Sequence, residues 1–356
     1  MQLFEFWKIF LKTTQYTSAL ISVTLNSILI LLILFRSPKN IGNYKYLMLY
    51  IVGFQVVYSI WDVVTEPTIL CYGAAFLVFR KFKQSVFGRE ESFFLVIVFC
   101  GFFGVSLALF AIHFIYRYGA VNQKFRIAWL RGRKLHALFF IPIVYGAIWT
   151  TLCYRFFHFD SSTDKFAGGL ILDTYDTRIE DLSYVIVLFY PKDQHNEPQP
   201  DHKIFFAIGV MWCLIISSLF CVIFFGIKCY SKLSKALEST KMASKVAKSL
   251  QQQLFLALVI QTIVPVVLMY IPVSILYLFP MFNLNAGILG GFIAATVAIY
   301  PAIDPLPTMF IVKSFRETLF CKESNRSNEP NMLVLGRNCK RPRTPNKESD
   351  IAMQPT

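Results

Sequence analysis

The sequence predicts an all-α membrane protein, a seven-helix transmembrane bundle, and three observations carry that prediction. Seven runs of about 18 or more mostly apolar residues, each long enough to cross a ~30 Å hydrocarbon core, are separated mostly by short basic loops. Of the 356 residues 55% are hydrophobic and 16% charged, with a mean hydropathy of +0.52, far from a soluble-domain average. The runs do not alternate in polarity, as Ile28–Phe35 shows, so the short alternating strands of a closed barrel are excluded.

The first run, 16–35, follows a segment holding Glu5, Lys8 and Lys12 with no small-residue cleavage site, and it is expected to act as its own insertion signal. The second, 46–64, comes after a short loop and should lie antiparallel to the first. Asp62 stands about 16 residues, or ~24 Å, along it. The apolar stretch 69–79 is too short to span, so it should lie on the outer surface or re-enter among the helices. The third run, 93–116, ends in Tyr116-Arg117-Tyr118, and the fourth is 136–154. The 155–203 segment that follows is far longer than the other loops and holds a strand-like run at Tyr184–Tyr190. A connection of that length is usually functional, and here it is expected to form an outer lid.

The fifth run, 204–226, continues into Lys228, Lys232, Lys235, Lys241, Lys245 and Lys248, which recur at helical spacing and predict a helix extended into the cytosol. The sixth and seventh runs are 254–278 and 286–312. Phe315, Leu319 and Phe320 then alternate with Lys313, Arg316 and Lys322, predicting a short amphipathic helix over 313–321 along the bilayer interface. Cys321 closes it as a candidate palmitoylation site, or as an ordinary juxtamembrane thiol. One seven-helix transmembrane domain, 1–321, is therefore expected, with a disordered polar tail over 322–356.

Orientation follows from the basic residues. With the N-terminus outside, 24 of the 35 Lys and Arg fall in cytoplasmic segments and 11 in outer ones, which favours N-out and C-in. The net charge of +14 is accordingly a topology signal, and no soluble domain supports nucleic-acid binding. Of the eight cysteines only Cys71 and Cys153 lie near the oxidising side, so a disulfide between them is open.

No catalytic motif, cofactor motif or metal-ligand spacing stands in the chain, which argues against an enzyme. Span 7 has no Lys to form a retinal Schiff base. Charge in a bilayer is costly and marks candidate sites. Arg117 is either a snorkelling anchor or a bundle-facing group that changes partners between two states. Tyr300-Pro301-Ala302-Ile303-Asp304-Pro305 breaks span 7, since each proline removes a backbone donor, and is either a structural kink or a switch. Counting along span 7 puts Asp304 near the cytoplasmic face, whereas Asp62 falls near the outer face as an interfacial residue or pocket anchor.

Taken together, Gly42-Asn43-Tyr44-Lys45-Tyr46-Leu47-Met48, Tyr58-Ser59-Ile60-Trp61-Asp62, Ser106-Leu107-Ala108-Leu109, His113-Phe114-Ile115-Tyr116-Arg117-Tyr118 and Pro301-Ala302-Ile303-Asp304-Pro305-Leu306 resemble the nematode serpentine chemoreceptors of the str class, class r. The likeness runs from about residue 7 to 321. It implies a rhodopsin-like G-protein-coupled receptor of sensory neurons, in the plasma membrane and often on cilia, whose partners are a heterotrimeric G protein and a small, sometimes volatile ligand. In that family's terms Tyr116, Arg117 and Tyr118 resemble the span-3 activation motif, and Tyr300, Pro301, Asp304 and Pro305 the span-7 switch. Two departures limit the carry-over: no acid precedes Arg117, and no Cys marks the outer start of span 3. The competing reading is a ligand-gated channel or small-molecule transporter, which would require ionisable groups at mid-membrane and internal repeats.

Overall fold

The computed structural model describes residues 2–37, 41, 44–83, 85–130, 132–175, 177–192, 197–238, 245–284 and 289–320. Lys241, Cys321 and the 322–356 tail lie outside these residues, as do the side chains of Lys245 and Lys248.

Among the described residues, seven helices are long and apolar enough to cross a membrane: Ile9–Arg36, Tyr44–Thr65, Arg89–Val121, Arg133–Phe156, His202–Lys235, Ser249–Met281 and Gly290–Ile311. They belong to α1 (Gln2–Arg36), α2 (Tyr44–Thr65), α3 (Arg89–Val121), α5 (Arg133–Phe156), α7 (His202–Glu238), α8 with α9 (Lys245–Pro265 and Ile271–Met281), and α10 with α11 (Leu289–Ile303 and Pro305–Ile311). Between them lie α4 (Gln123–Trp129) and α6 (Ser161–Tyr175), and α12 (Lys313–Leu319) follows the seventh span. The amphipathic pattern predicted α12, whose Phe315 is fully buried against the bundle.

At 37 residues α7 reaches ~55 Å, well beyond a ~30 Å hydrocarbon core. It carries Lys228, Lys232 and Lys235 on its exposed surface. The basic stripe is nevertheless not one helix, because Lys245 and Lys248 belong to the start of α8.

The third span is the most enclosed of the seven, and its tightest neighbour is α5. Glycine makes that approach possible. A Cβ at Gly104 would lie 3.0 Å from the Tyr145 carbonyl oxygen and 3.1 Å from Trp149 Cβ, with backbone unable to yield. Gly104→Leu should therefore overpack the α3–α5 seam by about 1–3 kcal/mol or more. The measurement is cell-surface abundance of the tagged protein, expected to collapse; wild-type abundance would show that the seam can open.

A three-stranded antiparallel sheet caps one end of the bundle, in the order β1 (Thr68–Tyr72), β2 (Ala75–Lys81), β3 (Leu182–Leu188). The 69–79 stretch is thus the β1–β2 hairpin, turned at Gly73 with φ +52°, not a re-entrant segment. Strand β3 arrives from a hundred residues downstream and pairs Val185 with Val78. Alternation gives the sheet two apolar faces. Phe76, Val78, Val185 and Val187 face the helices, while Leu77, Phe79, Tyr184 and Ile186 pack under α6. The long 155–203 segment is therefore built structure, a helix and a strand, at the place where a lid was expected.

Candidate functional site

Helix α3 serves as a ruler through the site. From Cys100 to Arg117 is 17 residues, or ~25 Å, and four layers of contacts hang on that length.

Beneath the sheet, at the level of Phe99, Cys100 and Phe103, lies a cavity of about 60 Å³. Its walls are Tyr58, Trp149, Cys153, Met211, Val273, Tyr277 and Val297, and its roof is Ile69, Phe76, Val78 and Val185 of the sheet. The space is mostly apolar. Tyr277 Oη donates to the Met211 sulfur at 3.8 Å, a weak acceptor, and Cys153 and Cys100 are neighbours in the lining. Sequence periodicity could not separate these wall aromatics from lipid-facing ones.

One layer down, Ser218 on α7 donates to the Leu107 carbonyl at 2.6 Å and shares a hydrogen bond with Tyr270 Oη at 2.9 Å. Tyr270 closes a five-residue π-helical turn, Val266–Tyr270, inserted between α8 and α9. Pro265 and Pro272 flank it, and π turns recur at functional sites. Those two prolines were the available sequence signal for this hinge, which the sequence reading missed.

The third layer centres on the broken seventh span. Pro305 has no N–H for the Pro301 carbonyl four residues back, and Asn26 on α1 donates to that carbonyl instead at 2.9 Å. Gln261 on α8 donates to the Asp304 carbonyl at 2.9 Å. Gln55 on α2 donates to the Asp304 carboxyl and, at 3.4 Å, to Tyr300 Oη. Spans 1, 2, 6 and 7 are thus tied at one point. His113 shares a hydrogen bond with Tyr44 Oη and lines the same small voids as Asp304.

This placement corrects two expectations. Gln55 stands at the middle of α2, so Asp304 lies at mid-bundle and not at a membrane face. Asp62 is only seven residues beyond Gln55, ~10 Å along the helix, so the two carboxyls are not at opposite faces. The count along span 7 failed because α10 starts inside the sheet layer, where a Cβ at Gly290 would lie 2.7 Å from the Ile69 carbonyl oxygen. Nor does Asp62 line the cavity. It is buried toward α1, where Gln15 Nε2 donates to its carbonyl at 3.0 Å.

Arg117 makes the fourth layer. It is 1% exposed, so it does not snorkel. Its Nη2 donates to the Gln251 carbonyl on α8 at 3.1 Å, and the guanidinium lies 5.0 Å from the Tyr44 ring centroid. Tyr116 is buried against Tyr44, with centroids 5.5 Å apart. Tyr118 turns toward Phe125 and Phe225 and accepts a hydrogen bond from Asn122 at 2.7 Å.

Cys71 and Cys153 are both thiols and are not bridged. Cys71 lies on β1, which packs on α10, whereas Cys153 lies on α5 beside Cys100 of α3. Among the described residues no group of three His, Cys, Asp or Glu could hold a metal ion.

The chain matches the family model described as serpentine type 7TM GPCR chemoreceptor Str over residues 11–320. It is 37% identical over 312 residues to G-protein coupled receptor str-217 of Caenorhabditis elegans, covering 88% of this chain and 89% of that one. Serpentine receptor class r-10 of Caenorhabditis briggsae is 27% identical over 330 residues, covering 89% and 91%. Among solved structures, squid rhodopsin superposes with a TM-score of 0.57 at 11% identity, over 90% of this chain and 80% of that one, a likeness of fold.

Proposed function

Because the chain belongs to the Str family of serpentine seven-transmembrane GPCR chemoreceptors, we propose that it binds a small chemical cue in the cavity beneath the sheet and activates a heterotrimeric G protein at its other end. The sheet then faces outward with the N-terminus, and the Arg117 end faces the cytosol, as the basic-residue count favours. The same reading puts the receptor in the plasma membrane, on sensory cilia, as the resemblance implies. The channel or transporter reading finds no support among the relatives.

The observation that carries the proposal is the unbroken stack along α3, from an apolar cavity to a buried arginine bonded to the sixth span. A ligand acts only through its differential affinity for two arrangements of the bundle. Val273 and Tyr277 of the sixth span form one cavity wall, and the π turn and the Gln251–Arg117 contact lie on the same span. A ligand that shifts that wall pivots the span at the π turn and draws Gln251 away. Arg117, with the Tyr116–Tyr118 pair, Lys228, Lys232 and Lys235 of α7, Lys245 and Lys248 of α8 and, between them in sequence, Lys241, is then open to the G protein. Asp304, with Tyr300, Pro301 and Pro305, is the pivot of the seventh span.

The test is a G-protein dissociation reporter in cells expressing the full chain, screened with small volatile and water-soluble compounds. Filling the cavity with Val273→Phe should shift the response to any active compound about tenfold or more to higher concentration, with surface abundance retained. An unshifted response would place the ligand elsewhere.

A further inference from the structure

The cavity-facing side of the sheet ends on a charge. Cross-strand pairs on this face run Phe76 with Val187, Val78 with Val185, and then Arg80 with Ser183. Successive pairs are ~6.8 Å apart. Val78 and Val185 line the cavity, so Arg80 stands one step beyond its wall.

Arg80 is only 5% exposed. A buried guanidinium ordinarily meets a carboxylate, because burial removes its hydration and an ion pair must replace it. The more exposed cations nearby do have acidic neighbours: Lys83 pairs with Asp181 at 2.9 Å and Arg89 with Asp164 at 3.6 Å. Arg80 has no such partner among the described residues. Its Nη2 donates to Ser85 Oγ at 3.0 Å, and its guanidinium lies 5.5 Å from the Phe87 ring centroid. Nε and Nη1 are buried and meet no protein acceptor. The acid that acts on it is Glu66, but Glu66 is engaged by Tyr16 Oη and, at 3.7 Å, by Lys12. Burial pulls the guanidinium below its ordinary value, and Glu66 raises it only in part.

We infer that Arg80 anchors the carboxylate of a small ligand whose apolar part occupies the cavity, an inference that rests on the ligand-binding reading above. Planar N–H donors match a carboxylate better than any neutral acceptor. The size of the cavity restricts the apolar part to a short chain.

The experiment measures thermal unfolding of the purified full chain in detergent against a series from acetate to octanoate, each paired with its neutral amide. A ligand that binds the folded state alone raises the midpoint with concentration. At least one acid in the series should stabilise at a concentration on the order of 30-fold below its amide. Arg80→Gln should erase that preference, and Arg80→Lys should keep part of it. The wild-type comparison requires no variant, so equal stabilisation by acid and amide across the series, or none by any acid, overturns the anchor outright. Retention of the full preference in Arg80→Gln overturns it equally. An Arg80-dependent preference without any G-protein response would leave the anchor standing and remove the signalling reading; a response to neutral compounds alone would do the reverse.

Discussion

Arg117→Ala is expected to reach the cell surface and to lose ligand-evoked G-protein activation. The side chain is held inside by one charged hydrogen bond to the Gln251 carbonyl and by the Tyr44 ring. A hydrogen bond from a charged group contributes about 1.5–3 kcal/mol, so its loss weakens the closed contact between spans 3 and 6 without emptying the core. On the proposed mechanism, what alanine fails to supply is the charged donor group presented once span 6 moves. The predicted loss is therefore in maximal response, not in the concentration that half-saturates binding. Arg117→Lys separates the roles, because an ammonium keeps the charge but not the planar donors. If charge alone matters, Lys rescues; if the fork matters, it fails as Ala does. Full signalling by Arg117→Ala at matched surface abundance would end the role assigned here.

Some of this was legible in the sequence, and the part that was not has a physical pattern. The seven spans and α12 rest on local signals, apolar length and a two-turn amphipathic face, so composition alone placed them. The strand-like character of Tyr184–Tyr190 was equally local. Its pairing was not: Val78 meets Val185 across a hundred residues, and nothing in either strand names its partner. The hairpin over 68–81 was hidden for the same reason, since a short apolar run is ambiguous between a re-entrant segment and a strand. Arg80 was missed because a lone Arg in a loop-like segment is unremarkable until the sheet buries it.

Depth along the bundle was the second limit. Residue counting gave Asp304 a position from the start of its own span, but the chain begins that helix inside the sheet layer. Only the contacts with Gln55, Asn26 and Gln261 fix its level, and they come from spans 1, 2 and 6. The same holds for Arg117, for which the sequence left both an anchor and a switch open. Its burial excludes the anchor.

Gln55→Leu is expected to lower stability strongly, for a reason of asymmetry. Gln55 donates to Oδ2 of the buried Asp304 carboxyl, whose Oδ1 meets no hydrogen-bond donor among the described residues. Removing it leaves a buried carboxyl unsatisfied, at a cost of about 1–3 kcal/mol and more if charged. Asp304→Leu is predicted to be milder, because Gln55 keeps Tyr300 Oη at 3.4 Å as a neighbour. Replacing both by leucine removes donor and acceptor together and should return thermal stability close to wild type, since matched apolar pairs often match buried polar ones. The order of unfolding midpoints is then wild type and double variant highest, Asp304→Leu next, Gln55→Leu lowest. Signalling separates kink from switch. A seventh span that must break and remake the Gln55–Asp304 contact will stay silent in the double variant despite its restored stability. If the double variant signals normally, the carboxyl only fills a kink, and the pivot lies in the prolines.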